Sequence, residues 1–408
     1  MVHHKAGWAA PRSRSYELLA ERFQPIFRRI REGALQRETD RTLPYQPIRW
    51  LRDAGFGAVR IAAEDGGGGA TLPELFALLT ELAVADSNVT QALRAHFGVV
   101  EDILSAGDAS RRARWLPRFV AGDLVGSAFS EGGGNQVGSF GTILVQDGAR
   151  YLLNGTKYYS TGALFADWVN FGAVLDGEVV SGLALATDPG VSRREDWNGF
   201  GQILTGSGTT EFVNVPVDPK DIFRLSSRSK YRTAFFQLVH LATLSGIGRA
   251  AAEDVAAEVA ARTRTYTHGA GAQPRVDPQV LQVVGRVRSL AYAAAAITLQ
   301  AAEAAQRVFE LSFANEAKPL TEAAIDAELE MCAAQPVVAK LILEATTLMF
   351  DALGASATDR AKALDRYWRN ARTIGSHNPL IYKERIVGDF AVNGTAPPFT
   401  WMVGEGGS

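Results

Sequence analysis

Cys332 is the only cysteine in this 408-residue chain. One thiol closes no internal disulfide and builds no thiolate zinc site. A reducing compartment, the cytoplasm, is therefore expected. The six histidines show no metal-ligand spacing, so no metal is expected. Charge of one sign is also missing: 42 Lys and Arg stand against 44 Asp and Glu. Neutralising phosphates takes an excess of cations, so no nucleic-acid partner is expected. Long apolar runs are scarce. The most apolar helical stretch, about Leu290 to Leu299, is shorter than the ~20 residues that span a bilayer, and no membrane partner is expected. Met1 to Arg14 carries charges and Pro11 but no apolar signal core. No Gly-x-Gly-x-x-Gly fingerprint follows a strand and opens a helix, which leaves no nicotinamide site. Gly66–Gly69 and Gly132–Gly134 are glycine runs without that context.

With 47% hydrophobic and 21% charged residues, the chain has an ordinary globular composition. Its hydrophobic period divides it into three: a helical domain over 1–121, a β-domain over 122–228 and a helical domain over 229–408. In the first, Leu19, Phe23, Ile26, Phe27 and Ile30 recur at helical spacing. Pro25 predicts a kink or two shorter helices. Thr71-Leu72-Pro73-Glu74 reads as a capping box opening a helix. From about Leu124 the period becomes two, with Asp147-Gly148, Asn154-Gly155 and Asp176-Gly177 as turn dipeptides. Strands are expected at Val125–Ser130, Thr142–Gln146, Tyr151–Asn154, Trp168–Val174, Val179–Ala186 and Thr210–Val215. From Tyr231 the chain is helical and alanine-rich, through Ala250–Ala261, Val280–Leu311, Glu322–Leu353 and Arg360–Arg372. Pro336 predicts a kink in the third segment. These apolar helix faces predict a homotetramer, or at least a dimer.

Helices, a β-domain and a long helical bundle, in that order, resemble the acyl-CoA dehydrogenase fold. Local motifs carry the likeness further. Leu51-Arg52-Asp53-Ala54-Gly55-Phe56-Gly57 resembles that family's N-terminal signature. Gly126-Ser127-Ala128-Phe129-Ser130-Glu131 resembles the barrel strand that meets the flavin. Leu204-Thr205-Gly206-Ser207-Gly208-Thr209-Thr210 resembles a later barrel turn. The resemblance implies a mainly α protein with an N-terminal helical domain, a central β-barrel and a C-terminal four-helix bundle. A dehydrogenase of this fold typically carries a glutamate base late in the chain, where Asn378 stands here. Asparagine has no basic form at neutral pH. Asp365-Arg366-Tyr367-Trp368-Arg369-Asn370-Ala371-Arg372-Thr373 with His377-Asn378-Pro379, Gly354–Thr358 and Lys157–Ala163 instead resemble the flavin-dependent monooxygenases built on this fold. That group includes dibenzothiophene, alkylsulfone and sulfinate monooxygenases.

What this second resemblance implies is an oxygenase component of a two-component system. It would take FMNH2 from a separate NAD(P)H:flavin reductase and react it with O2 to a flavin hydroperoxide. It would then place one oxygen atom on a small substrate at sulfur, nitrogen or an electron-rich aromatic centre. FMN is favoured over FAD by the same likeness. The alternative is an FAD-dependent acyl-CoA dehydrogenase-like oxidoreductase; a third reading is a catalytically dead flavin-fold binding protein. By the resemblance, His377 donates at the flavin's oxygen-reacting edge; as a plain residue it would cap the preceding helix. Ser160 is a second catalytic donor and His96 a third. Thr156 to Ser160, including Tyr158 and Tyr159, would form one flavin wall. Ser127, Ser130 and Glu131 belong to the other. Arg264, with Ala355 and Ser356, would hold the flavin phosphate, the arginine from a neighbouring subunit; read alone, Arg264 is a solvated helix-end charge. His96, Val100 and Trp197 would line the substrate pocket, although a core histidine and a loop tryptophan packed on a neighbour are the ordinary alternatives. Lys157 and Arg286 read as surface or interface charges.

Overall fold

In the computed structural model, residues 8–132, 140–314 and 316–400 are described. Gly133 and Gly134 of the second glycine run lie outside them. The N-terminal helices are α1 (Arg14–Glu32), α2 (Ala34–Asp40), α3 (Tyr45–Asp53), α4 (Leu72–Ala85), α5 (Ser87–Ala92), α6 (Arg94–Ser105) and α7 (Ala109–Val120). Leu19, Phe23, Phe27 and Ile30 of α1 are buried, one face at three- and four-residue spacing. Pro25 lies inside α1 without dividing it. The capping box of α4 is formed: Thr71 Oγ1 accepts from the Glu74 N–H, and Glu74 Oε2 accepts from the Thr71 N–H at 2.9 Å.

The central domain holds β1 (Val125–Ala128), β2 (Ile143–Asp147), β3 (Arg150–Lys157), β4 (Trp168–Leu175), β5 (Glu178–Leu185), β6 (Val191–Arg193), β7 (Thr210–Val217) and β8 (Ile222–Arg224). They form one eight-stranded sheet in the order β6-β7-β3-β2-β4-β5-β8, with β1 paired in parallel to β4. The short strands β6 and β8 gave no readable alternation in the sequence. Buried Leu144 between exposed Ile143 and Val145 shows the period of two along β2.

The C-terminal helices are α8 (Arg232–Ala261), α9 (Pro278–Leu311), α10 (Ala317–Leu348), α11 (Asp365–Gly375) and α12 (Leu380–Asn393). The helix is not split at Pro336; α10 runs on, with Gln335, Pro336 and Val338 held in the core. Packing there outweighs the lost backbone hydrogen bond. The expectation of short apolar helical stretches is also corrected. By length and composition alone, α9 and α10 are each able to cross a membrane, with mean hydropathies of 1.3 and 1.2. Much of that hydropathy is alanine's, and half of the α10 window is buried inside the protein. The corresponding α9 window is only 22% buried, which leaves an apolar face uncovered around Leu281 and Tyr292.

Candidate active site

Two segments of the β-domain lie edge to edge. The Tyr158 N–H donates to the Ser130 carbonyl at 3.0 Å, and the Ser127 N–H donates to the Thr161 carbonyl at 2.9 Å. The ends of β1 and β3 thus bring Ser127, Ser130, Tyr158, Tyr159 and Ser160 together. Ser160 is 1% exposed and its hydroxyl has no partner within the described residues. A buried hydroxyl without a partner costs about 1–3 kcal/mol unless a ligand supplies one. Tyr159 is held at φ 61° and is half-exposed. That left-handed backbone is uncommon for a bulky residue and is associated with functional sites. Trp197 packs on this wall, with ring centroids 5.9 Å from Tyr159 and 6.5 Å from Tyr158. An orphan hydroxyl beside exposed aromatic rings fits a planar, polar-edged cofactor such as a flavin.

The loop carrying Trp197 is clamped to the helical domain. The Gln202 N–H donates to Asn370 Oδ1 at 2.5 Å, and Arg369 Nη1 donates to the Phe200 carbonyl at 3.0 Å. Phe200 stacks on Trp368, with centroids 6.0 Å apart. At Gly201 an added Cβ would lie 2.2 Å from the Arg369 carbonyl, so only glycine permits this approach. On the other side, Gln202 Nε2 donates to Ser87 Oγ and the Leu204 N–H to Asn88 Oδ1. The Asp365–Thr373 motif is therefore a docking element. Tyr367 and Arg366 bind Asp254, Trp368 to Asn370 bind the β-domain loop, and the helix then delivers His377.

His377 follows α11. Its backbone N–H takes the Ile374 carbonyl at 3.1 Å, so the main chain makes the helix cap and the imidazole is free of that task. His377 is exposed as a residue, yet protein mass lies around its ring. That surrounding mass, and next the Arg94 charge, lower its pKa to about 3. Its neighbour is His240, 4.4 Å away between centroids, which the sequence reading missed. His240 is buried; Nδ1 meets Gln237 Oε1 and Nε2 meets Gln91 Nε2, each at 3.3 Å. Gln335 Nε2 also donates to Gln237 Oε1, which makes that oxygen an acceptor. The network is consistent with a neutral His240 protonated on Nδ1. Burial, then Arg94 and His377, hold its pKa well below the usual imidazole value. Among the described residues, no carboxylate is among the groups acting on either ring.

A pH prediction follows. The imidazole of His377 should remain neutral from about pH 8 down to about pH 5, where an ordinary histidine would titrate. Arg94 depresses its pKa, so Arg94→Met should move the titration upward. Imidazole NMR shifts measure both; a midpoint near the ordinary histidine value in the wild type would contradict the placement.

Three expectations, those for His96, Val100 and Lys157, are corrected. His96 is fully buried, with Nε2 on the Gly57 carbonyl at 2.9 Å and Nδ1 accepting from the Val125 N–H at 3.3 Å. Both nitrogens are engaged in the core, and desolvation lowers its pKa to about 4. Val100, one turn on, is buried in the cluster of Trp115 and Phe119 rather than in a pocket. The cause is helical phase: at about 100° per residue, Arg94 and Gly98 share the face toward Phe236, and His96 and Val100 share the opposite one. The Glu131 side chain braces its own wall. Its carboxylate accepts from Gly141 N, Thr142 N, Thr142 Oγ1 and Lys157 Nζ at 2.6–3.0 Å. Lys157, expected at the surface, is fully buried against it, and burial lowers its pKa to about 8. Arg264, Ala355 and Ser356 are exposed, and among the described residues no hydrogen bond joins them to the walls above. Arg262 instead binds the Leu353 carbonyl beside Gly354.

Residues 13–123 match the model of the acyl-CoA dehydrogenase N-terminal domain, and residues 238–380 match that of the acyl-CoA dehydrogenase C-terminal domain. The chain belongs to the acyl-CoA dehydrogenase family. Within it, the similarity is to flavin-dependent monooxygenases. Dibenzothiophene monooxygenase of Mycolicibacterium goodii is 27% identical over 364 residues, covering 85% of this chain and 87% of that one. The probable FMNH2-dependent monooxygenase SfnC of Pseudomonas putida is 25% identical over 377 residues, covering 90% and 92%. The crystal structure of FMN-bound TdsC from Paenibacillus sp. A11-2 superposes with a TM-score of 0.85 at 27% identity, covering 94% and 98%.

Proposed function

We propose that this protein is the oxygenase component of a two-component system that uses reduced FMN and O2 to place one oxygen atom on a small organic substrate. The observation that carries the reading is the end of α11. Asn378 stands where the resemblance expects a dehydrogenase's glutamate, and the neighbouring His377 and His240 are neutral imidazoles on which no carboxylate among the described residues acts. A base for carbon acids is lacking there; a donor is present. Bound reduced flavin would supply the electrons that activate oxygen. The rest of the chemistry is this chain's. Ser127, Ser130, Tyr158, Tyr159 and Ser160 would hold the ring, with Ser160 Oγ donating to it. His377 would present its N–H at the edge where oxygen reacts. Trp197, anchored through Gln202 and Asn370, would close the cleft and exclude water. The relatives named for FMN support FMN over FAD. The uncovered α9 face supports a homotetramer, in which Arg264 reaches the flavin phosphate of a neighbouring subunit. The reductase is a separate protein in this reading, and the compartment is cytoplasmic.

The test is a substrate screen with reduced FMN supplied by a generic flavin reductase, read by mass for one added oxygen. The reading predicts a product dependent on both reduced FMN and O2, with weak retention of oxidised flavin on purification. Stoichiometric FAD that survives gel filtration and is reduced by an acyl-CoA would replace it with the dehydrogenase reading.

A further inference from the structure

Between the β1 wall and the α11 end, three arginines lie in succession against aromatic rings. The Arg228 guanidinium sits 4.8 Å from the ring centroid of Phe129, the residue before Ser130. Arg232 lies 4.7 Å from the Phe236 centroid, and Arg94 lies 4.4 Å from the same ring. Arg94 Nε also donates to the Phe236 carbonyl at 3.1 Å. Gly98 makes the arrangement possible: a Cβ there would lie 2.3 Å from Phe236 Cζ. Rings can stabilise cations from one side, but they do not neutralise them.

The charges do not balance. Asp102 pairs with Arg232 and also accepts from the Ser229 N–H at 3.0 Å. Among the described residues, neither Arg94 nor Arg228 has a carboxylate partner. Arg228 Nε and Nη2 are buried and have no hydrogen-bond partner among the described residues. Arg111, in the first turn of α7, is paired with its own neighbour Asp108. Three cations against one carboxylate leave an excess of two positive charges beside the flavin wall. Burial, and next the repulsion of Arg232, lower the Arg94 pKa to about 9, which leaves it charged at neutral pH. Arg94 lies three residues beyond Gln91, and Phe236, which holds it, lies one helical turn before His240, the ring that packs on His377, so the arginine stands at the same end of the site. Burying a cation without a counterion is costly, and removing that cost requires a negative charge from elsewhere.

We propose that Arg94, with Arg232 and Arg228 behind it, binds an anionic group on the substrate, so that the enzyme acts on a small organic acid, a carboxylate or a sulfur oxyanion. This rests on the oxygenase reading and names its substrate class. Arg94 anchors the acid; the reacting atom then lies toward His377. Guanidinium forks match both oxyanions geometrically.

The experiment is calorimetric titration of the full-length protein, without flavin, with benzoate, benzenesulfinate and the neutral isostere benzamide. At least one anion should bind about tenfold or more tightly than benzamide, the scale of one charge-assisted hydrogen bond. Arg94→Met should erase that preference, Arg94→Lys should keep most of it, and Arg228→Met should weaken it. Circular dichroism checks folding; should Arg94→Met unfold, the comparison of Arg94→Lys with Arg228→Met decides. Benzamide binding as tightly as both anions, or a folded Arg94→Met with unchanged preference, overturns the proposal. The two readings fail separately. Oxygenation of neutral substrates only would remove the anion site and leave the oxygenase. Anion binding with no oxygen transfer under reduced FMN would leave the site and remove the oxygenase.

Discussion

Replacing His377 by alanine should cut oxygenated product by about 10²-fold or more, the range for losing one preorganised donor. Folding and flavin binding should be largely unaffected. The cap of α11 is made by backbone N–H groups of Ser376 and His377, so removing the imidazole leaves it intact. Hydrogen peroxide release should rise, because oxygen would still be reduced but no longer guided to substrate. The measurement is the ratio of product to hydrogen peroxide under reduced FMN. A purely structural imidazole would instead leave that ratio unchanged and cost about 1 kcal/mol of stability.

Arg60→Met should destabilise the fold by about 3–5 kcal/mol, the cost of breaking a buried ion pair from one side. Arg60 and Glu101 form a two-pronged pair at 2.7 and 3.1 Å, and both are almost fully buried. Tyr231 donates its hydroxyl to the same carboxylate at 2.5 Å. The triad ties the turn after α3 to α6 and to the start of α8, next to Arg232. Denaturant titration measures the loss. In the double variant Arg60→Met, Glu101→Leu, no charge is left stranded, and much of the stability should return. A single variant within about 1 kcal/mol of wild type would show that the pair holds nothing.

What the sequence revealed and what it hid divide along physical lines. Local signals were legible. The Thr71–Glu74 capping box, the α1 stripe and the period-two strands are set by neighbours in sequence, and they appear as read. The splits that Pro25 and Pro336 allowed do not occur, because burial of the helix face around each proline carries the helix across it. Within the site, the two segments proposed as flavin walls were legible as motifs, and backbone hydrogen bonds join them. His96 was misread because its residue type suggested chemistry, whereas helical phase decides which face it takes. Arg94, two residues earlier, takes the other face, where its guanidinium packs on Phe236. His240, Gln91, Gln237 and Asn370 carry no motif. They come from α5, α8 and α11, and only the packing of those helices shows that they belong together. Lys157 shows the same limit in reverse, since a lysine in a turn-rich β-domain gives no local sign that Glu131 awaits it in the core.

The central claim is that oxygen from O2 enters the substrate at this site. The direct measurement is turnover with reduced FMN under heavy-isotope O2, followed by mass analysis of the product. The account predicts one labelled oxygen atom per product molecule, with the label lost when ordinary O2 is paired with labelled water. Product carrying oxygen from water, or a substrate that leaves only with two hydrogens removed, would contradict it.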